Sequence, residues 1–136
     1  MAEGGKVERV MPYGSQALDK TEQVRQMFDS IAPAYDFMNR AMTLGIDIWW
    51  RRLAVKRLRR LSPTLILDVA TGTGDFAIQL QQSLKPKHIT GIDLSQGMLD
   101  EAQRKVKEKG LEQSISFEQG DCMALEMADA SFDAVT

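Results

Sequence analysis

The run Leu65-Ile66-Leu67-Asp68-Val69-Ala70-Thr71-Gly72-Thr73-Gly74-Asp75-Phe76-Ala77 constrains this chain more than any other part of it. Its apolar stretch is too short for a helix and is stopped by glycine, so a buried strand is favoured. Gly72 and Gly74 let the backbone take φ > 0 and leave no Cβ in the way of a ligand. The helix predicted to follow points its free N–H groups, and the positive end of its dipole, back at that turn. A strand, a glycine turn and a helix in this order hold nucleotide-like ligands at the carboxyl end of a parallel sheet.

The class of nucleotide is the first decision. Gly72 to Ala77 satisfies G-x-G-x-x-G/A, and Asp93 lies ~20 residues on, as the dinucleotide fingerprint asks. Taken alone that match is weak, and two features argue against NAD. Asp68 ends the strand, where a carboxylate would repel a pyrophosphate and suits a positively charged ligand. A second acidic turn, Gly120-Asp121, follows a third predicted strand and has no place in the fingerprint. S-adenosylmethionine (SAM) suits both. It carries a sulfonium, an ammonium, two ribose hydroxyls and an adenine amino group, and ionised carboxylates only accept hydrogen bonds.

Asp68-Val69-Ala70-Thr71-Gly72-Thr73-Gly74 resembles motif I of the Rossmann-like SAM-dependent methyltransferases. Gly91-Ile92-Asp93-Leu94-Ser95 resembles their second motif, and Gly120-Asp121-Cys122-Met123 their adenine-binding turn. The resemblance implies an α/β fold with a doubly wound, mainly parallel sheet. It also implies that Asp68, Gly72, Thr73, Gly74, Asp93, Asp121 and Cys122 hold the cofactor. Asp93 would bind the ribose while Ser95 caps the next helix. Asp121 would accept from the adenine amino group, with the Cys122 N–H facing a ring nitrogen. Ala70 stands where many members have Gly. Ala prefers φ < 0, so the turn is expected to differ slightly there.

Upstream, Asp19 and Glu22 resemble a capping box, and Val24, Met27, Phe28 and Ile31 follow at helical spacing, with Pro33 as the stop. Those apolar residues are expected to be helix core. From Tyr35 to Arg51 the pattern reads as a short helix, a stop at Gly45 and a second helix capped by Asp47. Tyr35, Asp36, Met38, Asn39, Gly45 and Trp50 also resemble the N-terminal signature of the ring C-methyltransferases of menaquinone and ubiquinone biosynthesis. Thr43 replaces the usual Ser, and Asp47 stands where some members have His. The whole resemblance spans about residues 22 to 136.

That family implies SAM-dependent methylation of a polyprenyl hydroquinone ring, of demethylmenaquinol or of the ubiquinone precursor. Tyr35 and Asn39 are the candidates for closing the site. No residue recommends itself as the catalytic base. Cys122 lacks a cationic neighbour to activate it, and His88, the single histidine, has no cluster of metal-ligand spacing around it.

Length and composition bound the rest. The 136 residues fit one domain, 43% are hydrophobic, and the net charge of −2 does not suggest a nucleic-acid partner. Cys122 alone cannot form an internal disulfide, no apolar run approaches the ~20 residues of a membrane span, and Met1 onward lacks a signal-peptide core. A cytoplasmic protein is expected. Residues 1–18 read as a mobile tail, 19–61 as a helical cap and 62–136 as the SAM-binding half-domain.

Helix 47–61 carries Trp50, Leu53, Ala54, Leu58 and Leu61 on one side and Arg51, Arg52, Lys56, Arg59 and Arg60 largely elsewhere. Such a basic face is most simply solvated. A membrane surface at the inner face is the alternative, given a substrate dissolved in the bilayer. Ala77, Leu80 and Leu84 mark one sheet-packing helix, and Met98, Leu99, Ala102 and Val106 another over 96–109. Ile89–Asp93 and Ile115–Glu118 read as strands, and Phe132–Thr136 as the start of a fourth. Doubly wound sheets of this type have about six. A fragment of a longer protein is therefore expected, keeping cofactor contacts with little turnover. A homodimer paired through the Phe132–Thr136 edge is the alternative.

Overall fold

A computed structural model describes residues 20–38 and 46–136. Asp19, Asn39, Thr43, Gly45 and residues 1–18 lie outside the described residues, so the expected tail, capping box and Gly45 stop are not addressed by it.

Four strands form one sheet: β1 (Leu65–Val69), β2 (His88–Asp93), β3 (Ile115–Gln119) and β4 (Ala134–Val135). The order is β3-β2-β1-β4, and every neighbouring pair is parallel. The order reverses direction between β1 and β4, and parallel α/β sheets open their ligand crevice at that switch point. Register places Asp68 beside Gly91 and Asp93 beside Gln119, so the acidic strand ends share one edge.

Two helices connect the strands. α3 (Asp75–Leu84) starts at Gly74 and ends on Lys85, whose left-handed backbone returns its N–H to Gln81 O before Pro86. α4 (Gln96–Glu108) starts at Ser95, whose hydroxyl accepts the Met98 N–H at 3.1 Å. Its buried residues are Met98, Leu99, Ala102 and Val106, the face expected from spacing. Ala77 and Leu80 of α3 are fully buried, and with Ile66, Ile89, Val106 and Ile115 they form the core. His88 opens β2 instead of preceding it, and its ring bonds Ser116 across to β3 at 2.8 Å, a structural use of the single histidine.

The N-terminal elements are α1 (Lys20–Ile31), a 3-10 turn (Ala32–Ala34), a helical segment at 35–38, and α2 (Ile46–Arg59). One expectation is corrected here. α2 already includes Ile46, so Asp47 sits in its first turn and pairs with Arg51 at 3.1 Å instead of standing as the cap. The residue of α2 that enters the core is Val55, whereas Trp50 and Leu61 are 62% and 70% exposed. Only part of the apolar side meets the sheet unit, through α3.

Gly74 shows how tightly the turn is set. It has φ +79, and a Cβ there would lie 2.9 Å from Ala102 Cβ and 3.0 Å from Phe117 Cζ. Gly74→Ala is expected to cost about 2–4 kcal/mol, from left-handed backbone strain plus overpacking. Urea unfolding at constant slope should show the lowered midpoint, and an unchanged midpoint would mean that α4 does not press on this turn.

Candidate functional site

The carboxyl ends of β1, β2 and β3 face α1 and Tyr35 across a groove with two lobes. One lobe, of about 210 Å³, is lined mainly by apolar groups, among them Val24, Phe28, Ile92, Leu94 and Met98, with Asp93 and Cys122 at its polar side. The other, of about 310 Å³, is lined by Asp36, Arg51, Asp68, Thr71, Thr73 and Asp75 among others. Tyr35, Ala70 and Gly72 line both lobes. Gly72 has φ +59, and a Cβ built on it would meet nothing within 4 Å. That open space is the room a ligand needs to approach the backbone.

Asp93 is fixed by backbone donors. Its Oδ2 accepts the Gly72 N–H at 2.8 Å, and its Oδ1 accepts the Ser95 N–H at 3.0 Å. A carboxylate has about four acceptor positions, so two remain for further donors. Ser95 is the side-chain cap of α4, as expected.

Asp68 is 4% exposed. Its oxygens accept from the hydroxyls of Thr71 at 2.7 Å and Thr136 at 2.8 Å. Burial pushes its carboxyl above the ordinary carboxylate value. The two hydroxyls and the Arg51 charge pull it back, while the Asp93 charge adds to the rise. A cation brought into this lobe would favour the ionised form.

The other expected residues divide. Thr73 is buried, and its hydroxyl donates to Asp36 Oδ1 at 2.5 Å and accepts from Lys105 at 3.0 Å, so its side chain serves the protein. Gly74 lines neither lobe and lies against Ala102 and Phe117 instead. Asp121 likewise lines neither, and its Oδ1 accepts the Met123 N–H at 2.8 Å. Cys122 and Gly120 line the apolar lobe. Tyr35 packs edge-on against Phe28 with ring centroids 6.4 Å apart. Asn39 lies outside the described residues.

Two expectations fail here. Ala70 takes φ +54, so the turn keeps its left-handed bend despite the Cβ. The Thr71 N–H that follows reaches Ile92 O at 2.9 Å, which fixes the bend from the β2 side. α1 has no buried residue, and Val24 and Phe28 line the apolar lobe instead of filling a core.

The sequence reading passed over a charged cluster beneath the turn. Lys105 Nζ of α4 pairs with Asp36 and with Asp75, the latter at 2.9 Å. Arg51 of α2 lies 3.6 Å from Asp75. Asp36 was visible in the signature, but nothing in the local sequence sets Lys105 apart from Lys107 on the same helix. A second missed residue is Asp29, whose Oδ1 accepts from Ser95 Oγ and, at 2.8 Å, from the Gly97 N–H, docking α1 on the start of α4.

Comparison with known proteins gives concordant matches. The profile of the ubiE/COQ5 methyltransferase family matches residues 16–136. A demethylmenaquinone methyltransferase of Bacteroides fragilis is 50% identical over 129 residues, which are 95% of this chain and 52% of that protein. A ubiquinone/menaquinone biosynthesis C-methyltransferase UbiE of Geotalea uraniireducens is 44% identical over 119 residues, 87% of this chain and 51% of that protein. The chain spans about half the length of the curated relatives it matches. A solved DhpI–SAH complex superposes with a TM-score of 0.65 at 26% identity, covering 85% of this chain and 51% of the other. The fold is thus the Rossmann-like methyltransferase fold.

Two outcomes follow from the site itself. Because the folded chain holds the Asp68 proton more tightly than the unfolded chain does, stability should fall as pH rises from the ordinary carboxylate value through the raised one. Urea midpoints across that window should show the fall, and Asp68→Asn should flatten it; an equal slope in both proteins would place its origin elsewhere. Lys105→Met strips two half-buried carboxylates of their shared cation, at an expected cost of about 1–3 kcal/mol. A loss no larger than that of Arg104→Met, whose partners lie on an exposed face, would show that the cluster holds nothing together.

Proposed function

The chain belongs to the ubiE/COQ5 methyltransferase family, and on that premise we propose that it binds SAM across the two lobes and that the whole protein methylates a ring carbon of a polyprenyl hydroquinone. The observation that carries this reading is the groove itself: an apolar lobe and a carboxylate-lined lobe meet over Gly72, whose Cβ position is open. The apolar lining with Asp93 at one side would suit an adenosine, and the charged lining of the second lobe would suit a zwitterionic amino-acid end.

Each residue then has a task. Val24, Phe28, Ile92 and Met98 would sandwich the adenine. Asp93, already oriented by two N–H donors, would accept from the ribose hydroxyls. Cys122 would offer its backbone N–H to the adenine edge, with Asp121 beside it in the same turn. Asp68 would take the ammonium, whose charge would offset the burial that opposes its ionised form. Tyr35, reaching both lobes, would cover the join and exclude water. Bound SAM supplies an electrophilic methyl, and the reacting partner is a ring carbon made nucleophilic by an adjacent phenolate. Holding the two in line supplies much of the rate.

The substrate proposed is of the demethylmenaquinol type, because the Bacteroides relative bearing that name is more similar than the UbiE relative. Among the described residues no helix is long and apolar enough to cross a membrane. Contact with a bilayer surface would be made through α2, which exposes Trp49 and Trp50 (57% and 62%) and, on the same helix, Arg52 and Arg59.

Calorimetric titration with SAM, and with NADH as control, tests the cofactor half of the proposal. SAM binding without NADH binding is the expected outcome, and the reverse would overturn it. For the substrate half, methyl transfer by the whole protein should favour a naphthoquinol acceptor over a benzoquinol one.

A further inference from the structure

The polar lobe raises a question of charge. Asp36, Asp68 and Asp75 line it, Lys105 offsets one charge of the first and third from beneath, and Arg51 is the cationic side chain among the described residues lining it. A ligand ending in an ammonium alone would be welcome there. A ligand ending in a carboxylate as well would be repelled unless one group answered it.

Arg51 is built to answer. It projects from α2, and its side chain is only a quarter exposed. Nη2 lies 3.1 Å from Asp47 within its own helix, whereas Nη1 lies 3.6 Å from Asp75, beyond hydrogen-bond length. A guanidinium carries five N–H donors, and these two pairs do not use them all. Arg51 and Asp68 line the same lobe. A planar fork of donors fits a carboxylate in two-point fashion better than an ammonium does.

We propose that Arg51 reads the carboxylate of the cofactor's amino-acid end, while Asp68 takes the ammonium beside it. The inference rests on the reading of the groove as a SAM site and deepens it: the lobe recognises an α-amino acid zwitterion, and α2 supplies half of that recognition. Arg51 exchanges its loose contact with Asp75 for the ligand, and Asp75 keeps Lys105 as its partner at 2.9 Å.

The test compares S-adenosylhomocysteine with its decarboxylated analogue, which keeps the adenosine, the sulfur and the amine. Binding of each is measured by calorimetry to the 136-residue chain and to its Arg51→Met variant. The unaltered chain should prefer the carboxylate-bearing ligand. Arg51→Met should weaken that ligand by about 10- to 100-fold and leave the analogue within about twofold, erasing the preference. Arg51→Lys should keep part of it. Equal weakening of both ligands would assign Arg51 to holding α2 in place and overturn the inference. Survival of the preference in Arg51→Met would overturn it too, pointing to the N–H groups at the start of α3. Absence of any preference in the unaltered chain would also sink it, with the cofactor site left standing. Failure of the unaltered chain to bind either ligand would bring down the cofactor reading and the inference with it.

Discussion

The groove depends on what is hydrogen-bonded to Asp93. Its carboxylate takes N–H groups from Gly72 and from Ser95, and its carbonyl takes the Gly120 N–H at 3.0 Å. Three pieces of chain therefore converge on one residue: the turn after β1, the start of α4 and the end of β3. Bonds to an ionised acceptor are worth about 1.5–3 kcal/mol each, more than neutral ones. Any donor arriving from a ligand would find the acceptor already aimed, and little ordering would remain to oppose binding.

The core was legible in the sequence, and the reason is periodicity. α4 buries the residues that its spacing selects, because a helix lying on a sheet can bury only one stripe. The strands were visible as short β-branched runs with Asp or Gly at their ends. Asp68 and Asp93 could be placed on the groove because strand ends in a parallel sheet share one edge. The helices ahead of the sheet were harder. An apolar stripe says that something covers it, not what: Val24 and Phe28 face a cavity, and Trp50 faces solvent. Ala70 was misjudged because a single-residue preference of about 1–2 kcal/mol yields to a turn fixed on both sides.

The charges under the turn were illegible for a different reason. Lys105 stands 30 residues from Asp75 and 69 from Asp36, and pairing at that range leaves no mark on local sequence. Lys105 ties the Tyr35-Asp36 segment to the glycine turn, so a signature with no glycine or nucleotide character of its own still shapes the nucleotide site. Thr73 shows the converse. It sits in the motif and lines the polar lobe, and its hydroxyl also bonds Asp36 and Lys105, so a motif residue is tied to a charged cluster far from it in sequence.

α1 walls the apolar lobe through Val24 and Phe28 while burying none of its own residues, and it is pinned to α4 through Asp29. Segments with little buried surface open at a small fraction of the global unfolding free energy. Amide protons of α1 are therefore expected to exchange with solvent ahead of those in β1 or α4. A molecule filling the lobe would press on Val24 and Phe28 and slow that exchange in step with its occupancy. The helix would thus be a wall that doubles as a gauge: its proton-exchange rate would register whether the chamber behind it is full.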